Sequence, residues 1–218
     1  MAHEINLSDE IGPAFYGLLD ANWLRDQVKA ASGADILLRI NSPGGSVIEA
    51  QAMYTELRQA QERGQRVVVQ VDALAASAAS FLAMVGDEIT IAENAMMMIH
   101  NAWTIAVGNA ADMQATADTL RKFDSILVDQ YAARSGQDKQ KIAGMMAAET
   151  WMTAQEAIDN GFADRISTPL KQLVKPAAIA DGRYQHTPRD LVADVPASGI
   201  AARAARRKLA IARARTGR

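Results

Sequence analysis

A chain of 218 residues with 49% hydrophobic content and no cysteine can bury one sizeable core and carry a short appendage, but not two catalytic domains. Without thiols it has no disulfides, no thiolate nucleophile and no Cys-based zinc site, which agrees with a cytoplasmic setting. The net charge of −2 conceals an asymmetry: residues 1–168 hold 12 Lys and Arg against 22 Asp and Glu, a formal −10, while residues 169–218 hold 11 against 3, or +8.

The two parts are therefore read as one domain, 1–168, and a basic, Pro-punctuated tail, 169–218. Met1 to Leu7 is short and polar, so secretion is not expected. The longest nearly apolar run, Leu74 to Val85, is interrupted by two serines and argues against a membrane span.

A first strand is expected around Glu4. From Asp35 the run Ile-Leu-Leu-Arg-Ile has the continuous apolar character of a buried strand, ended by the turn residues Asn41-Ser42-Pro43-Gly44-Gly45. Val47, Ala50, Met53, Tyr54, Leu57 and Ala60 recur at threes and fours and predict a helix closed at Gly64. Arg66 to Ala73 is again a strand, and the small residues of Leu74 to Val85 suit a buried helix. This alternation implies a mostly parallel α/β layer.

Glu88 to Ala92 and Ala95 to Ile99 predict two short strand pieces. Asn109 is placed to cap a long helix whose apolar stripe is Met113, Ala117, Leu120, Phe123, Leu127 and Tyr131, running to Gly136. Thr153-Ala-Gln-Glu156 is a capping box opening a helix that Gly161 ends, and Phe162 to Ile166 predicts a last strand. Beyond Thr168 the periodicity lapses. Four prolines punctuate a segment expected to be a flexible, solvated extension, in which only Ser198 to Arg215 has the composition of a helix.

Three pieces of this chain carry chemistry together. Ser77 follows a predicted strand and lies in the first turn of a predicted helix, where free backbone N–H groups favour a nearby oxyanion. A serine in an Ala-rich helix is ordinarily a packing residue. His100, however, is the sole histidine inside the predicted core, since His3 leads the chain and His186 is in the tail. Paired with a serine ending another strand it would act as a base, which serine needs to become a nucleophile. Pro43-Gly44-Gly45 reads as an ordinary turn, or as backbone without Cβ that can aim an amide at a substrate carbonyl.

Asn41-Ser42-Pro43-Gly44-Gly45, Ala75-Ala76-Ser77, Met98-Ile99-His100-Asn101 and Trp151-Met-Thr-Ala-Gln-Glu-Ala-Ile-Asp-Asn-Gly161-Phe-Ala-Asp164 occur in this order over roughly residues 4–166. In order and spacing they resemble the Clp protease family of serine peptidases. The wording Leu-Ala-Ala-Ser-Ala-Ala-Ser, Met-Met-Met-Ile-His-Asn and Glu-Thr-Trp-Met-Thr-Ala is similar to the phage-encoded branch, the prohead or head-maturation proteases.

This resemblance implies an α/β fold of the Clp/crotonase spiral type, with the long helix from Asn109 and the Trp103–Gly108 segment as a projecting handle. It implies Ser77 as nucleophile, His100 as general base, and the amides of Gly45 and Ala78 as the oxyanion hole. The family's third member is an aspartate; here the position is Glu149, with Asp164 in reserve. No cofactor or metal is implied. The expected activity is ATP-independent endopeptidase cleavage of phage scaffold or capsid precursors, and of the tail itself between about Thr168 and Ser198. The expected partners are protein substrates and further copies of the chain in a ring-like homo-oligomer, with no unfoldase ATPase.

Two rival readings differ in class. A crotonase-like acyl-CoA enzyme shares the fold and the paired oxyanion amides but has no need of a Ser77–His100 pair. A non-catalytic capsid-assembly or nucleic-acid-binding module would use the tail, where Arg203, Arg206, Arg207 and Arg213 would share one face if it is helical.

Overall fold

A computed structural model describes residues 2–167, 177, 179 and 183–192. In chain order the domain comprises β1 (His3–Leu7), α1 (Ala21–Ala30), β2 (Ile36–Ser42), α2 (Val47–Glu62), β3 (Val67–Ala76), α3 (Ala78–Ala83), β4 (Glu88–Ile91), β5 (Met96–Ile99), α4 (Ala110–Ser135), α5 (Lys139–Ala147), β6 (Thr150–Thr153), α6 (Ala154–Asp159) and β7 (Arg165–Ile166). Strands β1-β2-β3-β4-β7 lie side by side, each pairing parallel. The mixed α/β class with a mostly parallel sheet is as the alternating pattern predicts.

One strand organises the rest. The first half of β3 pairs with β4, Val68 to Val71 against Glu88 to Ile91, and its second half pairs with β5, Leu74 to Ala76 against Met96 to Met98. This corrects the expected helix from Leu74: Leu74, Ala75 and Ala76 remain strand, and the helix begins only at Ala78. The reason is tertiary. Small residues without strong local preference take the conformation that lets β5 complete its ladder, and all three are fully buried by doing so.

Caps set the helix ends. Ser46 accepts from the Glu49 amide at the start of α2, Asn109 and Asp112 form a capping box on α4, and Thr153 and Glu156 form the predicted one on α6. The stripe expected along α4 holds only in its last third: Leu127 and Tyr131 are buried, whereas Met113 is exposed, so the first turns stand clear of the core. Helix α1, with Asp20 accepting from the Trp23 amide, lies in a stretch where no helix is expected from the sequence. Among the described residues no helix is long and apolar enough to cross a membrane.

The described part of the tail does not match the expected solvated extension. Ile179, Tyr184 and Leu191 are buried with Leu74, Ala76 and Met98 in a second apolar cluster. Ile179 N–H donates to the Leu191 carbonyl at 3.0 Å, so the segment closes on itself against the domain. Three apolar residues among prolines and polar groups have no periodicity to betray them, and their burial depends on the surface they meet. The Ser198 to Arg215 stretch lies outside the described residues.

Candidate active site

The sheet register brings Ser77 and His100 together. Ala76 is opposite Met98, and the Ser77 amide donates to the Met98 carbonyl at 2.9 Å. Ser77 therefore leaves the end of β3 beside the end of β5, where His100 follows two residues after Met98. The Ser77 hydroxyl and His100 Nε2 are 2.7 Å apart. Ser77 has φ 56° and ψ −124°, a conformation that costs a non-glycine residue about 1–3 kcal/mol and is held by its surroundings. The sharp strand-to-helix turn lifts the hydroxyl out of the small-residue packing around it.

The glycine turn lies against this elbow. Gly44 has φ 84°; a Cβ there would collide with the Ala76 carbonyl and come within 2.9 Å of both the Ala78 nitrogen and the Ser77 Cβ. Gly45 has φ 147°, and a Cβ on it would collide with the Ile11 carbonyl. Only glycine permits these approaches. Fully buried Ser42 fixes the turn, its hydroxyl donating to the Asp9 carbonyl and accepting from the Gly44 amide. Gly45 lines the same cleft of about 210 Å³ as Ser77 and His100, together with apolar groups such as Leu18, Val47 and Trp103. Ala78 sits behind the elbow as the first residue of α3.

His100 is uncharged at neutral pH. Burial pushes its pKa down to about 4; the negative charge of Glu149 works against that shift and the Arg183 guanidinium adds to it. Among the described residues its ring hydrogen-bonds Ser77 alone. A neutral imidazole with Nε2 turned to a serine hydroxyl can accept the proton of that hydroxyl.

Glu149 has the right backbone place and a different side-chain engagement. Strands β5 and β6 pair antiparallel, with Ile99 opposite Thr150, so the next step puts Glu149 across from His100. Glu149 itself has φ 50°, and its carboxylate accepts from the Gln185 amide at 2.7 Å, the His186 amide at 2.6 Å and the Trp151 indole at 3.2 Å. It acts on His100 through its field. Asp164 accepts from the Ile89 amide and from Arg134, each at 2.6 Å. Burial would raise its pKa, but Arg134, the Ile89 amide and Arg165 hold the carboxyl below its usual range. Its partners belong to β4 and α4 and its role there is to join them.

Two residues at this site have no signal in the sequence. Tyr184 packs edge-on to His100, ring centres 5.0 Å apart, and its hydroxyl donates to the Pro43 carbonyl. Arg183 lines the cleft and pairs with Glu10 at 3.0 Å. Each stands in a stretch without periodicity; the isolated aromatic beside a basic residue is the most that could have drawn attention.

A family model described as Clp protease matches residues 17–169. The chain belongs to the Clp protease family. It is similar to the ATP-dependent Clp protease proteolytic subunit of Ligilactobacillus salivarius, 33% identical over 144 residues that make up 65% of this chain and 72% of the relative. The subunits of the same name from Borreliella afzelii and Bacteroides fragilis are 29% and 33% identical over 140 and 136 residues, in each case 62% of this chain and 68% and 64% of theirs. In this Clp protease family member the matched span contains Ser77, His100 and Glu149, whereas the segment carrying Arg183 and Tyr184 lies beyond the family match.

Proposed function

We propose that this Clp protease family member is a serine endopeptidase with Ser77 as nucleophile and His100 as general base. The observation that carries the reading is the 2.7 Å approach of the Ser77 hydroxyl to a neutral His100 at the ends of two adjacent strands. Ser77 Oγ attacks the scissile carbonyl carbon while His100 Nε2 takes the hydroxyl proton. The oxyanion is met by the amides of Gly45 and Ala78. His100 then gives its proton to the departing amine, leaving an acyl-enzyme. Water, deprotonated by the same imidazole, hydrolyses the ester and returns the proton to Ser77. Glu149 steadies the imidazolium once its carboxylate faces the ring. The bond cleavage so laid out consumes no nucleotide.

The natural substrates proposed are scaffold or capsid precursors in an assembling phage head, and the tail of the chain itself. Support for this comes from the motif wording around Ser77, His100 and Trp151, which is similar to the head-maturation branch. A ring of subunits would use the exposed Trp103, Ile105 and Val107, of which the last two are 84% and 95% exposed, with the clear face of α4.

Labelling by a fluorophosphonate, read by intact mass beside Ser77→Ala, tests the assignment. One adduct on wild type and none on the variant is the expected result. Saturable binding of a CoA thioester with no adduct would instead support an acyl-CoA enzyme.

A further inference from the structure

We infer that Arg183–His186 form a latch in cis, which fills one side of the cleft and keeps the Glu149 carboxylate from His100, so that the folded chain is a latent peptidase. This rests on the serine-peptidase reading and adds its regulation.

Two independent features of the segment point the same way. The first is occlusion. Tyr184 is only 6% exposed, wedged between His100 and Trp151, whose ring centres are 5.0 and 6.1 Å from its own. Its hydroxyl is spent on the carbonyl of Pro43, the residue immediately before Gly44-Gly45. A substrate strand laid along that turn would need the position Tyr184 holds. Burial pushes the Tyr184 phenol up, with the Arg183 guanidinium working against it, so the phenol stays neutral.

The second feature is competition for a carboxylate. Strand register places Glu149 opposite His100, yet its two oxygens receive the amides of Gln185 and His186. The Glu149 side chain is 9% exposed, and a carboxylate so enclosed is stabilised by whichever donors face it. Held by these amides and the Trp151 indole, the carboxylate makes no hydrogen bond to the His100 ring among the described residues. The segment is anchored on both sides of this contact: Ala177 N–H donates to Asn41 at 2.8 Å, Arg183 pairs with Glu10, and Leu191 is buried in the apolar cluster. These anchors reach the N-terminal part of the domain and the oxyanion turn, so opening withdraws Tyr184 and frees Glu149 in one movement.

Two full-length variants test the two halves separately. Tyr184→Ala removes the wedge. His186→Pro removes one amide donor to Glu149 and leaves Arg183 and Tyr184 in place. Fluorophosphonate labelling of Ser77 is expected to be at least tenfold faster in both. In His186→Pro, NMR titration should show the His100 pKa moving up from about 4 toward its ordinary value of 6.5, because a carboxylate released from one latch amide can turn to the ring. A merely structural role for the segment would slow labelling or leave it unchanged. Labelling in both variants at or below the wild-type rate, with His100 titrating as in wild type, overturns the latch and leaves the peptidase standing. A raised His100 pKa with no labelling of any form overturns the peptidase and supports the latch geometry.

Discussion

The hydroxyls of Ser80 and Tyr131 are 2.9 Å apart, with the carbonyls of Ser77 and Met98 each 2.7 Å from the Ser80 oxygen. Tyr131 belongs to α4 and Ser80 to α3, and both are fully enclosed. Burial pushes the Tyr131 phenol up, so it remains a neutral donor. The long helix is thereby tied to the carbonyls on either side of the Ser77–His100 contact.

Removing this tie should cost stability first. Ser80→Ala leaves the buried Tyr131 hydroxyl without its partner and is expected to lower unfolding stability by about 1–3 kcal/mol; Tyr131→Phe, which removes the donor as well as its need, should cost about 1 kcal/mol. Urea denaturation measures both. Labelling of Ser77 should persist in each folded variant, which separates Ser80 from the nucleophile.

Glu149 and Asp164 should behave as different kinds of residue. Glu149→Gln is expected to reduce turnover by about 100-fold or more, since an amide offers the imidazolium no charge. Asp164→Asn loses charge-assisted bonds to Arg134 and Ile89, so it should lower the melting temperature while the folded enzyme turns over normally. Kinetics and thermal melts on the two variants decide the matter; an inactive but stable Asp164→Asn would transfer the orienting role to Asp164.

His100 makes stability depend on pH in a stated direction. Its folded pKa of about 4 lies below the ordinary 6.5, so between these values the unfolded chain binds a proton that the folded chain refuses. The stabilisation is present in full above pH 6.5 and is lost as pH falls through about 4, a change of about 3 kcal/mol. Denaturation midpoints from pH 7 to pH 4 should fall more steeply for wild type than for His100→Gln. Parallel curves would remove His100 from the account.

Self-processing of the tail is the fourth expected outcome. Once rising ionic strength weakens the Arg183–Glu10 pair that anchors the latch, wild type should shorten within residues 168–198, while Ser77→Ala stays at full mass. Arg183 and Tyr184 of that interval line the cleft that holds Ser77, and tethering to the domain raises the local concentration of a cleavable bond. Identical shortening of both proteins, or of neither, would exclude it.

Much of this protein is legible in its sequence because the signals are local. Continuous apolar runs marked β2 and the start of β3, threes and fours marked α2, and the Thr153–Glu156 box marked α6, each from chemistry within a few residues. Gly44 and Gly45 announced a close backbone approach, and a core with one histidine drew attention to His100. Tertiary structure alone decided the rest. Leu74 to Ala76 became strand because β5 needed a partner. The register of β5 on β3 converted Ser77 and His100, 23 positions apart, into a 2.7 Å contact. The tail segment from Ala177 to Val192 shows no periodicity, yet its Tyr184 and Leu191 are buried, because apolar burial depends on the surface presented and not on spacing along the chain. The Glu149 carboxylate faces Gln185 and His186, a choice between donors brought together from 36 and 37 residues away, and no pattern within the β6 sequence could encode it.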